Sequence, residues 1–154
     1  MNILLLNCPN VWAGVKRPIF PLGLACVGTY LDNHGHNVRL IDLNICTNHL
    51  QKLKDLLQEN RFEFIGISIR NIFFYQTPQI YQWKSVVNSI KSLSPDSKII
   101  CGGAAFSLLP KQIMDSIKEI DIGVIGRGEE AFWELTNKSA QEVKGIVYRD
   151  DKGI

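Results

Sequence analysis

Apolar positions fall along this chain in two alternating rhythms. Short runs of Leu, Ile and Val read as strands buried on both faces, and longer stretches with apolar residues every three or four positions read as helices. Asn2 to Asn7 is the first strand, uninterrupted from Ile3 to Leu6. Cys8 to Phe20 is rich in turn formers (Pro9, Asn10, Gly14, Pro18) and reads as a loop. Pro21 starts a helix, where proline is tolerated in the first turn, and Leu22, Ala25, Cys26, Thr29 and Tyr30 recur at helical spacing until Gly35 ends it. Asn37 to Leu43 is the second strand, and Leu50, Leu53, Leu56 and Leu57 mark the second helix. Phe64 to Ser68 is the third strand, Thr77-Pro78 caps a helix running to about Leu93, and Ser94-Pro95-Asp96 turns it into a fourth strand, Lys98 to Cys101. Pro110 opens a fourth helix, Asp121 to Ile125 is the fifth strand, and Glu129 to about Asn137 the fifth helix. Gly145 to Arg149 reads as a final short strand, with a turn at Asp150-Asp151-Lys152-Gly153.

This alternation predicts an α/β domain: a Rossmann-like (flavodoxin-like) open parallel five-stranded sheet, helices on both faces, right-handed crossovers and a short C-terminal strand. Three strand ends then draw attention. Ile99-Ile100-Cys101 runs into Gly102-Gly103, which turns sharply and leaves nothing protruding above the strand; Ile65-Gly66-Ile67-Ser68 and Val124-Ile125-Gly126-Arg127-Gly128-Glu129 also finish in small or polar residues. In an open parallel sheet such ends gather on one edge, where ligands bind, so a large cofactor is expected there. The plainer reading of the glycine pair is a tight strand-to-helix turn.

Composition narrows the classes. A chain of 154 residues, 45% of them hydrophobic, suits one domain that buries roughly two thirds of the surface its unfolded form exposes. The net charge of +2, from 17 basic and 15 acidic residues interspersed, offers no broad cationic face, so nucleic acid is not an expected partner. No apolar stretch approaches the roughly 20 residues that span a bilayer, and the run from Ile3 to Leu6 has neither a basic flank nor a cleavage pattern; the expectation is a cytoplasmic protein without a membrane partner. Cys8, Cys26, Cys46 and Cys101 form neither a C-x-x-C pair nor a zinc pattern and read as small buried hydrophobes, Cys8 nearest the ligand edge. No protein metal ligands are expected.

Six segments together resemble the N-terminal cobalamin-binding domain of radical S-adenosylmethionine enzymes: Asn2 to Pro9, Pro21 to Ala25, His34 to Asp42, Ile65 to Ser68, Cys101 to Ala104 and Ile125 to Glu130. The resemblance covers nearly the whole chain. It implies that residues 1–145 are the cobalamin-binding domain and that 146–154 begin the connector to a radical SAM barrel of the same polypeptide. It also implies roles. Ser68 matches the serine facing the lower side or nucleotide tail of cobalamin, Gly102 and Gly103 the glycines against which the tail lies, and Gly126, Arg127, Gly128 and Glu129 the loop closing around it. Asn7, Cys8 and Pro9 match the loop beside the corrin; Arg70, Asn71, Ala104 and Phe106, with Ala105 and Ser107, look like one branch of the family and are placed to meet the corrin amides, Arg70 having a carboxylate partner as its alternative. The cofactor implied is cobalamin, with a 4Fe–4S cluster and S-adenosylmethionine in the full-length enzyme. The family's barrel carries C-x-x-x-C-x-x-C for that cluster, a motif this sequence lacks, so the chain is not expected to be catalytic by itself.

The function implied is methyl transfer from methylcobalamin to an unactivated centre, with ring formation as another outcome within the family. A ligand-free domain that docks on the barrel is the alternative from another class. A nucleotide-binding Rossmann domain fits less well: Gly126-x-Gly128-x-x-Ala131 follows the fifth strand instead of the first, and Glu129 and Glu130 stand where a pyrophosphate would sit, although Asp42 ends the second strand as a ribose-binding acid would. Phe73, Phe74, Tyr75, Tyr81 and Trp83 read as ordinary packing and Trp12 as an exposed contact. Asp32-Asn33-His34-Gly35-His36-Asn37 resembles the D-x-H-x-x-G loop that brings a histidine to cobalt, but it falls at the end of the first helix, on the edge opposite the ligand. His49 is on the ligand edge, beside an outer strand. No histidine is therefore expected on cobalt.

Overall fold

The computed structural model describes residues 1–9, 11–12, 15–16, 18–70 and 78–150. In chain order its elements are β1 (Asn2–Asn7), β2 (Val11–Trp12), β3 (Val15–Lys16), α1 (Leu22–Asn33), β4 (Asn37–Asp42), α2 (His49–Glu59), β5 (Phe64–Ser68), α3 (Pro78–Leu93), β6 (Lys98–Gly102), α4 (Ala104–Leu108), α5 (Pro110–Ser116), β7 (Ile122–Val124), α6 (Glu129–Leu135) and β8 (Ile146–Tyr148).

Ile3 to Leu6 can be apolar without interruption because β1 is interior, paired in parallel with β4 on one side and β5 on the other. The sheet has six strands in the order β4-β1-β5-β6-β7-β8, parallel throughout except that β8 runs antiparallel to β7. Side-chain alternation sorts each buried strand between two cores. Leu4, Leu6, Ile65, Ile67 and Ile99 pack under α2, α3, α4 and α5 through Leu53, Val86, Ile90, Phe106 and Ile113. On the other face Ile3, Leu5, Phe64, Ile100 and Ile122 meet Leu24 and Leu31 of α1 and Phe132 and Leu135 of α6. The edge strand β4 is only half covered, and Leu40 is exposed. Among the described residues no helix is long and apolar enough to cross a membrane.

Several expectations need correction. The buried face of α1 is Leu24, Gly28 and Leu31, whereas Leu22 and Cys26 are exposed. Small residues at Gly23, Ala25 and Gly28 blur the apolar stripe, so its phase shifts without breaking the helical period. Within the segment read as a loop, β2 and β3 pair as an antiparallel ribbon, too short for alternation to register. A five-residue helix, α4, stands between the glycine pair and Pro110. The strand after α6 is reached through a 3-10 turn at Ala140–Glu142; Gly145, at φ +73°, turns the chain back so that β8 descends beside β7. Just beyond β8, the Arg149 guanidinium donates to the carbonyls of Met114, Ile117 and Ile120, capping the C-terminal end of α5.

Candidate cofactor site

Strand order reverses direction between β1 and β5. The chain leaves β1 for α1 on one face and passes beyond β5 to α3 on the other, so a crevice opens at the C-terminal ends of these strands. Asp42, Asn7, Ser68 and Gly102 stand side by side there, in register across β4, β1, β5 and β6. Two residues back, on the same face, the register reads Leu40, Leu5, Gly66, Ile100. The crevice is a cavity of about 560 Å³, within the range of small-molecule sites. It has two tiers. The inner one is apolar, floored by Leu5, Gly66 and Ile100 and walled by Leu24 and Val27 of α1 and Phe132 of α6. The outer one carries Asn7 and Ser68, and the rim is made of Arg70, the turn at Gly102–Ala104, Ser107 and the turn at 126–129.

Glycines shape both tiers. A Cβ on Gly66 would lie 2.5 Å from Cε1 of Phe132 and 2.7 Å from Cδ2 of Leu5, so only a residue without one lets those side chains close over the strand. Gly103 and Gly126 adopt φ of +103° and +79°, conformations that L side chains rarely take. The Ser107 hydroxyl joins their two turns: it donates to the Gly103 carbonyl at 2.9 Å and accepts the Gly126 N–H at 2.9 Å.

Polar groups near the mouth are largely engaged with one another. The buried Asn7 amide donates to Oδ1 of Asp42 at 3.0 Å, and the same oxygen accepts the Asn44 backbone N–H and side-chain amide, each at 2.9 Å. Asp42 therefore braces the β4 turn. Arg127 is exposed, with Nε 3.8 Å from Oε2 of Glu129. Burial pushes the Cys8 thiol up to about 12 and that of Cys101 well above its ordinary value, so both are neutral hydrophobes at physiological pH. Among the described residues no group of three or more His, Cys, Asp and Glu side chains is arranged to hold a metal ion.

Residues 11–136 match the family model of the B12 binding domain. The chain belongs to that family. Solved structures agree with the assignment. The B12-binding domain superposes at a TM-score of 0.85 and 25% identity on the radical S-adenosylmethionine methyltransferase TsrM from Kitasatospora setae, solved with tryptophan substrate and an S-adenosylmethionine analogue; 99% of this chain and 29% of that one are covered. TsrM with cobalamin and a 4Fe–4S cluster gives 0.85 at 24% identity, over 99% and 28% of the two chains. The cobalamin-dependent S-adenosylmethionine radical enzyme OxsB, with aqua-cobalamin and S-adenosylmethionine, gives 0.77 at 21%, over 99% of this chain and 21% of its own. The chain thus spans less than a third of the length of these structures. No curated protein matches it in sequence.

The cavity fits a cobalamin tail. Its apolar inner lining suits a base and its polar outer lining a sugar and phosphate. Of the residues singled out in the sequence, Asn7, Ser68, Arg70, Gly102, Gly103, Ala104 and the run Gly126 to Glu129 line this cavity. Three others do not. Cys8 and Phe106 sit in the core on the opposite face, and the buried Pro9 takes its carbonyl to the Trp83 indole N–H at 3.4 Å. Asn71, the aromatic run at 73–75, Thr77, the Trp12 side chain and residues 151–154 lie outside the described residues. Val27 and Phe132 lie outside the segments the sequence singles out, and Leu24 lies within one without a role, because only the packing of α1 beside α6 brings the three together.

Ser107→Ala should leave the fold close to intact and weaken cobalamin binding about 5- to 10-fold, corresponding to roughly one net hydrogen bond. Spectroscopic titration reads the loss, Ser107→Thr should restore most of it, and equal affinity in the alanine variant would remove the bridge from the site.

Proposed function

We propose that this domain holds cobalamin with its nucleotide tail in the two-tiered cavity and its corrin over the glycine turns, presented to a radical SAM barrel of the same polypeptide for methyl transfer. The observation that carries the reading is the apolar tier floored by Gly66 at the point where strand order reverses, in a chain of the B12-binding family. Bound methylcobalamin would supply a transferable methyl group, restored from S-adenosylmethionine, and the barrel would hold that molecule and the 4Fe–4S cluster. This chain's own share is positioning: Ser68 at the sugar and phosphate, Gly102 and Gly103 along the tail, the turn at 126–129 closing around it, and Arg70 at the corrin rim. The domain extends past the expected boundary at 145 to take in β8, which completes its sheet and is pinned by Arg149, and the connector to the barrel begins beyond it.

Cobalt would receive no histidine from this chain. Asn37 pairs with Asn2 at the beginning of β1, so His34 and His36 lie about 17 Å from the Asn7 end, five residues further along the strand. Both are engaged there: the His34 ring stacks on Tyr30 at 4.3 Å, and Nε2 of His36 is 3.3 Å from the Thr136 hydroxyl. His49 opens α2, which packs on the opposite face.

The test is incubation with hydroxocobalamin followed by gel filtration. A corrin spectrum that elutes with the protein is expected, and the reduced Co(II) form should show no nitrogen superhyperfine splitting by electron paramagnetic resonance. A spectrum left behind on the column would favour the docking domain. Splitting that disappears in a variant of His34, His36 or His49 would overturn the axial assignment.

A further inference from the structure

The inner tier suggests which cobalamin relatives this site accepts. Its side chains are Leu5, Leu24, Val27, Ile100 and Phe132, none with a donor or acceptor. The backbone of its floor is engaged as well, because β5 is paired on both sides, with β1 and β6, around Gly66. The nearest side-chain polar groups, Asn7 and Ser68, stand two residues higher, about 7 Å along the strand, and the Asn7 amide is already bonded to Asp42 at 3.0 Å. From this arrangement we infer that the site discriminates among corrinoids by their lower base, favouring benzimidazole over purine. The inference rests on the proposal that the tail occupies this cavity.

The physical ground is desolvation. A benzimidazole carries a single ring nitrogen beyond its bond to the sugar and otherwise buries carbon, which the tier matches. Adenine brings an exocyclic amine and several ring nitrogens, each of which would leave water without finding a partner among these side chains. A buried group without a hydrogen-bond partner is penalised even when its shape fits, so two bases of similar size are separated by polarity. Ser68, at the outer tier, is placed for the sugar and phosphate that both corrinoids share, and therefore does not alter the comparison.

The experiment is a pair of absorbance titrations of the protein, one with the dimethylbenzimidazolyl corrinoid and one with the adeninyl corrinoid. Both present the same macrocycle, and because dimethylbenzimidazole is the stronger cobalt ligand and the costlier to release, tighter binding of that form reports the cavity and not the cobalt bond. Binding at least about tenfold tighter to the benzimidazolyl form is expected. Equal binding, or tighter binding of the adeninyl form, would overturn the selectivity and leave cobalamin binding standing. Failure to bind either would overturn the proposed function and the selectivity with it.

Discussion

Replacing Gly103 with Val should unfold much of the protein, whereas the same change at the adjacent Gly102 should leave the fold standing and empty the site. The two glycines differ in what a side chain would meet. At Gly103 the backbone has φ +103° and ψ 172°, and a Cβ would lie 2.5 Å from the Ile69 carbonyl oxygen, a backbone atom that itself accepts the Ala105 N–H. Conformational strain of about 1–3 kcal/mol adds to that clash, so a loss of more than about 3 kcal/mol in urea denaturation is expected. Gly102 has no such constraint. It ends β6 beside Ser68, its Cβ would stand an ordinary 3.6 Å from the Val124 oxygen, and a β-branched residue suits a strand. Its side chain would, however, project on the cavity face. Gly102→Val should therefore change stability by no more than about 1 kcal/mol and weaken cobalamin binding tenfold or more, about 1.4 kcal/mol. If the Gly102 variant kept its affinity, the tail would not lie along this turn.

Phe106→Ala should give the other large loss, and it should be one of stability. The ring is fully buried and fills the space over Gly123, where a Cβ would sit 2.1 Å from Cζ. Removing it opens a cavity between α4 and the sheet, at a loss of about 3–5 kcal/mol. Far-ultraviolet dichroism during denaturation measures that loss. At low denaturant the folded fraction should bind cobalamin with little change, since the ring faces away from the cavity. A tenfold weaker affinity in a variant of near-normal stability would return Phe106 to the binding residues.

Phe106 also shows where reading the sequence stops short. Its neighbours Gly102, Gly103 and Ala104 line the cavity, but α4 begins immediately after the glycine pair and rotates successive side chains, carrying Phe106 to the opposite core and Ser107 back to the mouth. A helix of five residues leaves too short a period to be recognised. Strand parity was, by contrast, legible. Asn7 and Cys8 are consecutive in an extended segment and must face opposite ways, so the alternation alone allows only one of them on the cavity face. The interior strands are legible to within about a residue because they are apolar on both faces. The weakly striped α1 is recognisable as a helix, but its stripe points to the wrong face. Leu24, Val27 and Phe132 come from distant segments, and no local pattern announces that α1 and α6 share a wall.

The hydroxyl of Ser107 makes the two glycine turns into one opening unit. Because the Gly126 N–H ends on that oxygen and the Gly103 carbonyl accepts its proton, neither turn can swing outward without releasing the other. Exchange of the Gly126 amide with deuterated solvent thus counts openings of the cavity mouth as a whole, and a bound tail that holds either turn slows exchange at both.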